Sequence, residues 1–180
     1  MSFGIAILRA VVGGLFIGHG LQKLLGKFGG HGLDGTAGFF EQLGLRPGKV
    51  HATAAGVAET GGGALLVLGA ATPLAASAIT GTMTVAIHKV HVQKGPWVSD
   101  GGYEYNAVLM AAVFAITAEG PGAFAVDRRK WGTGWAIAQL VAGAGGALAM
   151  VKLSELRAPA PAPAAPQTSQ PSADPVAANA

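Results

Sequence analysis

Residues 57–72 read "VAETGGGALLVLGAAT". Glu59 opens a run with no further charge until Lys89. In a soluble protein such a carboxylate is an ordinary surface residue on a buried helix. Inside a bilayer it is costly and marks a functional position by default. The reading of this stretch therefore turns on which solvent the chain occupies.

Composition answers that question. Hydrophobic residues make up 51% of the 180-residue chain and charged residues 12%, against about 25% charged in an ordinary soluble domain. Too few charges are present to clothe a soluble surface, and a mean hydropathy of +0.45 agrees. The apolar content also falls in blocks. Thr60–Ile87 and Trp131–Val151 are free of Asp, Glu, Lys and Arg, and runs of about 18 or more apolar residues read as membrane spans. The pattern implies an all-α integral membrane protein whose partner is the lipid bilayer.

The net charge is +3. Basic residues flank the apolar blocks, as topology determinants and head-group contacts do. No basic patch interleaved with aromatics supports nucleic-acid binding. The absence of cysteine excludes disulfides, thiolate zinc, a cluster ligated by this chain and a dithiol relay of its own.

Five spans are expected: 3–25, 50–71, 73–92, 103–118 and 131–151. A short interfacial helix after the first, capped by Asp34 or Thr36, carries Phe39, Phe40 and Leu43 on one side. The opening segment reads as a retained first span rather than a cleaved signal. Pro73 suits the first turn of the third span. The domain layout is a four-helix unit over 1–130, an additional helix over 131–152 and a disordered Pro/Ala-rich tail over 153–180. Glycine-rich stretches such as "TGGG" point to close helix approach.

Short connections make the first four spans an antiparallel bundle, and the polar residues then gather at one end. The first span contributes His19, Gln22 and Lys23 on one face. The second contributes His51 and, roughly 14 Å deeper, Glu59. The third contributes His88 and His91, and the fourth Tyr103, Glu104, Tyr105 and Asn106. The candidate cluster is Arg9, His19, Gln22, Lys23, Glu59, His88, His91 and Glu104. Glu59 is expected to face the interior and pair with Arg9, His19 or His88, because an unpaired carboxylate there would protonate. Lys23, Lys89 and Glu104 read first as interfacial charges that set topology, and His91 as a head-group-level residue. A structural lock between helices and a catalytic or ligand-binding role are equally open for Glu59, Arg9 and His88. The Glu-x-x-His pattern of a di-iron bundle is missing, so no metal is expected.

The ordered segments "RAVVGGLFIGHGLQKLLG", "GLDGTAGFFEQLGL", "AETGGGALLVLGAATPLAA", "MTVAIHKVHVQKGPW" and "EYNAVLMAAVFAITAEGPGAFAVDR" resemble the DoxX family of small bacterial membrane proteins over roughly residues 5–130. The resemblance implies a four-helix bundle, multi-pass in the bacterial cytoplasmic membrane. Some relatives are associated with thiosulfate:quinone oxidoreductase and others with a membrane complex defending against oxidative stress. Carried over by position, the recurrent polar residues are Arg9, Lys23, Glu59, His88 and Glu104. The fifth span and tail depart from the four-span pattern.

The function this implies is a membrane subunit or anchor of a redox- or oxidative-stress-linked complex, associated with a quinone. A soluble redox-enzyme partner would bring the redox centre. If the chain is an enzyme, it is an oxidoreductase subunit without a centre of its own. No cofactor is expected to be covalently bound, and haem is disfavoured. A homo-oligomer is left open, and the Gly-rich spans and disordered tail suit a scaffold. The alternatives are a non-catalytic scaffold and a small-solute transporter, the latter lacking an evident internal repeat.

Overall fold

The structure, a computed structural model, describes residues 2–157. The expected tail beyond residue 157 lies outside the described residues. Among these residues the protein is all α, with helices α1 (Phe3–Leu25), α2 (Gly32–Gln42), α3 (Gly48–Leu68), α4 (Thr72–Ala86), α5 (Glu104–Glu119) and α6 (Thr133–Arg157), and no strand. α6 continues past the expected boundary at residue 152.

Local chemistry explains the helix ends. Ser2 caps α1, its Oγ accepting from the Ile5 N–H at 3.3 Å. Gly26 closes α1, and Gly69 closes α3, each at φ +65° in the left-handed region that a Cβ disfavours. Pro73 stands in the first turn of α4, where its missing N–H costs nothing. α2 starts earlier than expected. Its N-cap position is His31, without a side-chain cap, and Asp34 and Thr36 lie inside the helix. α4 does not stop at Ala86. It runs on as a π turn, Ile87–His91, and a 3-10 turn, Val92–Lys94.

One core joins four helices. Val12 and Phe16 of α1 meet Leu66 of α3, Ile79 and Met83 of α4, and Leu109, Val113 and Ile116 of α5. α1 and α3 pack antiparallel through facing glycines. A Cβ on Gly13 would lie 2.6 Å from the Gly63 carbonyl oxygen, and one on Gly20 2.7 Å from that of Gly56. The two backbones approach as closely as small residues allow. α6 lies parallel to α4. Thr80 Oγ1 donates to Gln139 Oε1 at 3.1 Å, and Lys89 pairs with Glu155 at 2.8 Å.

Among the described residues two helices are long and apolar enough to cross a membrane, α1 and the Thr133–Leu156 portion of α6. The other long elements differ for visible reasons. α4 and α5 have 15 and 16 residues, short of the roughly 20 a perpendicular span uses. α3 has 21, but alanine, glycine and threonine dilute its apolar character. Large apolar side chains nevertheless point outward along the bundle. Ile7, Val11 and Leu15 form an exposed stripe on α1, and Ile137, Val141 and Leu148 an exposed set on α6.

Candidate ligand cavity

Lys23 lies in the last turn of α1, and His19 one turn before it on the same face. The antiparallel packing of α3 brings Glu59 alongside. Lys23 Nζ donates to Glu59 Oε2 at 2.6 Å, and Glu59 is 3% exposed. Lys23 is thus the partner of the buried carboxylate rather than a charge that only sets topology. The ammonium end of its long side chain turns inward along α3, while its Cα stays near the helix end.

None of the expected partners Arg9, His19 or His88 pairs with Glu59: His19 turns its Nδ1 to Gln22 and His88 is exposed. Arg9 is about four turns from Lys23 along α1, roughly 21 Å, at the opposite end of the bundle. Its guanidinium gathers carbonyl groups there. One nitrogen donates to Leu66 O at 3.0 Å and to Val67 O, and the other to Ala123 O at 2.8 Å. The last carbonyls of α3 have no intrahelical partner, and a cation at a helix C-terminus also meets the negative end of its dipole. Arg9 ties α1, α3 and the segment after α5 together.

The remaining expected residues separate into two groups. His19, Lys23, Glu59 and His91 line one cavity of about 730 Å³. His19 Nδ1 is 3.0 Å from Gln22 Oε1, and His91 Nδ1 is 2.6 Å from Gly101 O. Gln22, His88 and Glu104 do not line it. Gln22 Nε2 donates to Phe28 O at 3.1 Å, fastening the turn after α1. His88 is exposed on the π turn. On this turn Lys89 pairs with Glu155 of α6 and, with His91, lines the cavity, while His88 does not. Glu104 accepts from the Val98 N–H at 2.7 Å and closes the loop before α5. Among the described residues no three His, Asp or Glu side chains gather as a metal site would need.

The cavity wall is mostly apolar, with Phe16, Phe39, Phe40, Leu109 and Met150 among its residues. Asn106, at the polar start of α5 but outside the expected cluster, also lines it and is 7% exposed. Its Nδ2 donates only to the Met83 thioether sulfur, at 3.3 Å. The sequence places Asn106 with Tyr103, Glu104 and Tyr105 among the polar residues of this end, but nothing in the pattern singles it out from them as the buried one. A cavity of this kind orients an amphipathic molecule, its body in the apolar wall and its polar atoms against a few fixed groups.

The sequence model of the DoxX family, described as DoxX, matches residues 4–92. The chain is 31% identical over 116 residues to a Bacillus subtilis (strain 168) protein named "Putative oxidoreductase CatD", an alignment covering 64% of this chain and 80% of that one. No solved structure matches the chain.

Proposed function

The chain belongs to the DoxX family, and from that premise we propose that it is a multi-pass protein of the bacterial cytoplasmic membrane, a subunit of a redox- or oxidative-stress-linked complex that binds a quinone in the cavity at Lys23 and Glu59. α1 and α6 then cross the bilayer outright. α3, α4 with its π and 3-10 continuation, and α5 cross beside them as a four-helix membrane bundle with α1, sheltered by these neighbours. The oxidoreductase in the relative's name supports the redox part of the reading.

The observation that carries it is the ion pair in the cavity wall. Lys23 uses one of its ammonium donors on Glu59, and an ammonium has three. Lys23 is only partly exposed, and a spare donor turned to the apolar wall is best met by an oxygen. The residues fit a quinone head: an apolar cavity of about 730 Å³ exceeds a single ring, and cationic, carboxylate and amide groups stand in its wall. A bound quinone would supply two-electron, two-proton redox chemistry. The protein's part is to seat the ring against Phe16 and Leu109, to direct a Lys23 N–H at a ring oxygen, and to hold an exchangeable proton at Glu59 beside it. The chain has no thiol of its own, and on this reading a soluble partner delivers the electrons.

Glu59→Gln tests the reading, because it keeps shape and hydrogen bonding and removes the proton-holding charge. The expected result is normal accumulation in membranes with failure to complement a deletion strain under oxidative or thiol stress. Full complementation by Glu59→Gln would overturn the proton-handling role and leave the pair as a lock between α1 and α3.

A further inference from the structure

The cavity extends well beyond the ion pair. Three helices present small residues to it: Ala54 and Ala58 on α3, Ala78 and Gly81 on α4, Gly143 and Gly146 on α6. Side chains this small leave a trough along α4 that is continuous with the polar wall at Lys23, Glu59 and Asn106. A ring alone fills little of such a space. An extended hydrocarbon chain fills it without meeting a polar partner.

Asn106 supplies the second observation. It is nine-tenths buried, and its amide donor has only a thioether for a protein partner. A thioether is a weak acceptor. A buried amide so placed is a donor reserved for an oxygen that the protein does not supply.

We propose that the cavity is the seat of a single-chain bilayer amphiphile, in which the α3–α4–α6 trough holds the hydrocarbon chain and Asn106 binds a head-group oxygen. The inference rests on the reading of the cavity as a quinone site and adds the chain and the residue that reads the head. α6 lies beyond the residues matched by the family model, so one wall of the trough is an addition outboard of the matched segment. Chain recognition then sets which membrane quinones bind, and the head contacts set orientation.

The test uses two probes with the same kind of head. Tetramethyl-benzoquinone has no chain, and a decyl-substituted benzoquinone has one. Binding is measured by equilibrium dialysis on the full chain, in nanodiscs of saturated phosphatidylcholine free of quinone. The space next to Gly146 is open, a Cβ there meeting nothing within 4 Å, and the same holds for Gly145, which does not line the cavity. Gly146→Leu is therefore tolerated by the fold and obstructs the trough, while Gly145→Leu is its control. Gly146→Leu is expected to weaken the decyl probe about tenfold, the loss of roughly two buried methylenes, and to leave the chainless probe unchanged. Gly145→Leu should change neither. Asn106→Leu, close in volume, should weaken both probes.

Equal effects of Gly146→Leu and Gly145→Leu, or an effect of Gly146→Leu on the chainless probe, would overturn the trough assignment. Unchanged binding of both probes to Asn106→Leu would overturn the head assignment. Each of these leaves the quinone reading standing. Wild-type protein that binds neither probe would remove the reading and the inference together.

Discussion

Lys23 and Glu59 show how a buried carboxylate is held by an ammonium that is itself only partly exposed. Removing one partner leaves the other uncompensated, which typically costs 3–5 kcal/mol in a buried pair, roughly. Lys23→Met or Glu59→Leu alone should therefore lower membrane accumulation and the melting temperature of the detergent-solubilised protein. The double variant should recover much of both, because an apolar replacement of a buried pair is often neutral. Thermal scans on the four proteins check this. A double variant as unstable as the worse single would mean that the pair contributes net stability beyond mutual compensation. The sequence marked Glu59 as facing the interior, with a structural and a functional role equally open, and the burial is there, but its partner is Lys23 rather than Arg9, His19 or His88. The competing cations differ in which end of α1 they occupy, and Lys23 reaches inward from a position that reads as interfacial. Side-chain reach is a property of packing, which no periodicity encodes.

At the scale of the element, the contact between α1 and α3 is set by which glycines face inward. Gly20 has the Gly56 carbonyl oxygen 2.7 Å from where a Cβ would stand, whereas Gly18, on the same helix, has nothing within 4 Å. Gly20→Ala must push α1 and α3 apart and should destabilise the protein by about 1–3 kcal/mol, the range for overpacking. Gly18→Ala should be neutral or stabilising by several tenths of a kcal/mol, roughly, through helix propensity. Comparing their unfolding midpoints checks the assignment. Helix ends were legible where capping residues announced them, as with the glycines closing α1 and α3. The π turn at Ile87–His91 was not. A sequence read at a fixed helical period places His88 and His91 on one face, whereas only His91 of the two lines the cavity.

At the scale of the molecule, the cavity opens among the elements that share one end of the bundle: the end of α1, the start of α3, the end of α4, the start of α5 and the end of α6. That end carries Lys23, Lys27, Arg46, Lys49, Lys89, Lys94, Lys152 and Arg157, eight of the 12 basic residues. The positive-inside bias then puts this end in the cytoplasm and the start of α1 outside. A phosphatase or fluorescent-protein reporter fused after Arg157 should report a cytoplasmic location. Activity only on the periplasmic side would reverse the orientation. The short connector with Asp127, Arg128, Arg129 and Lys130 pulls the other way, which makes the measurement informative.

Arg9 has a consequence for the order in which the chain is built. Its acceptors come from α3 and from Ala123, so they are synthesised long after α1 has left the ribosome. Until then a guanidinium travels in an apolar helix with no permanent companion, and α1 gains its full hold only when the segment after α5 arrives. The nascent protein is provisional at its first helix and completed by one of its last loops. A ribosome-arrested chain ending near residue 100 should release α1 to carbonate or urea more readily than one long enough to expose Ala123. Equal resistance at both lengths would show that lipid head groups or the insertion machinery serve Arg9 as well as the finished fold does.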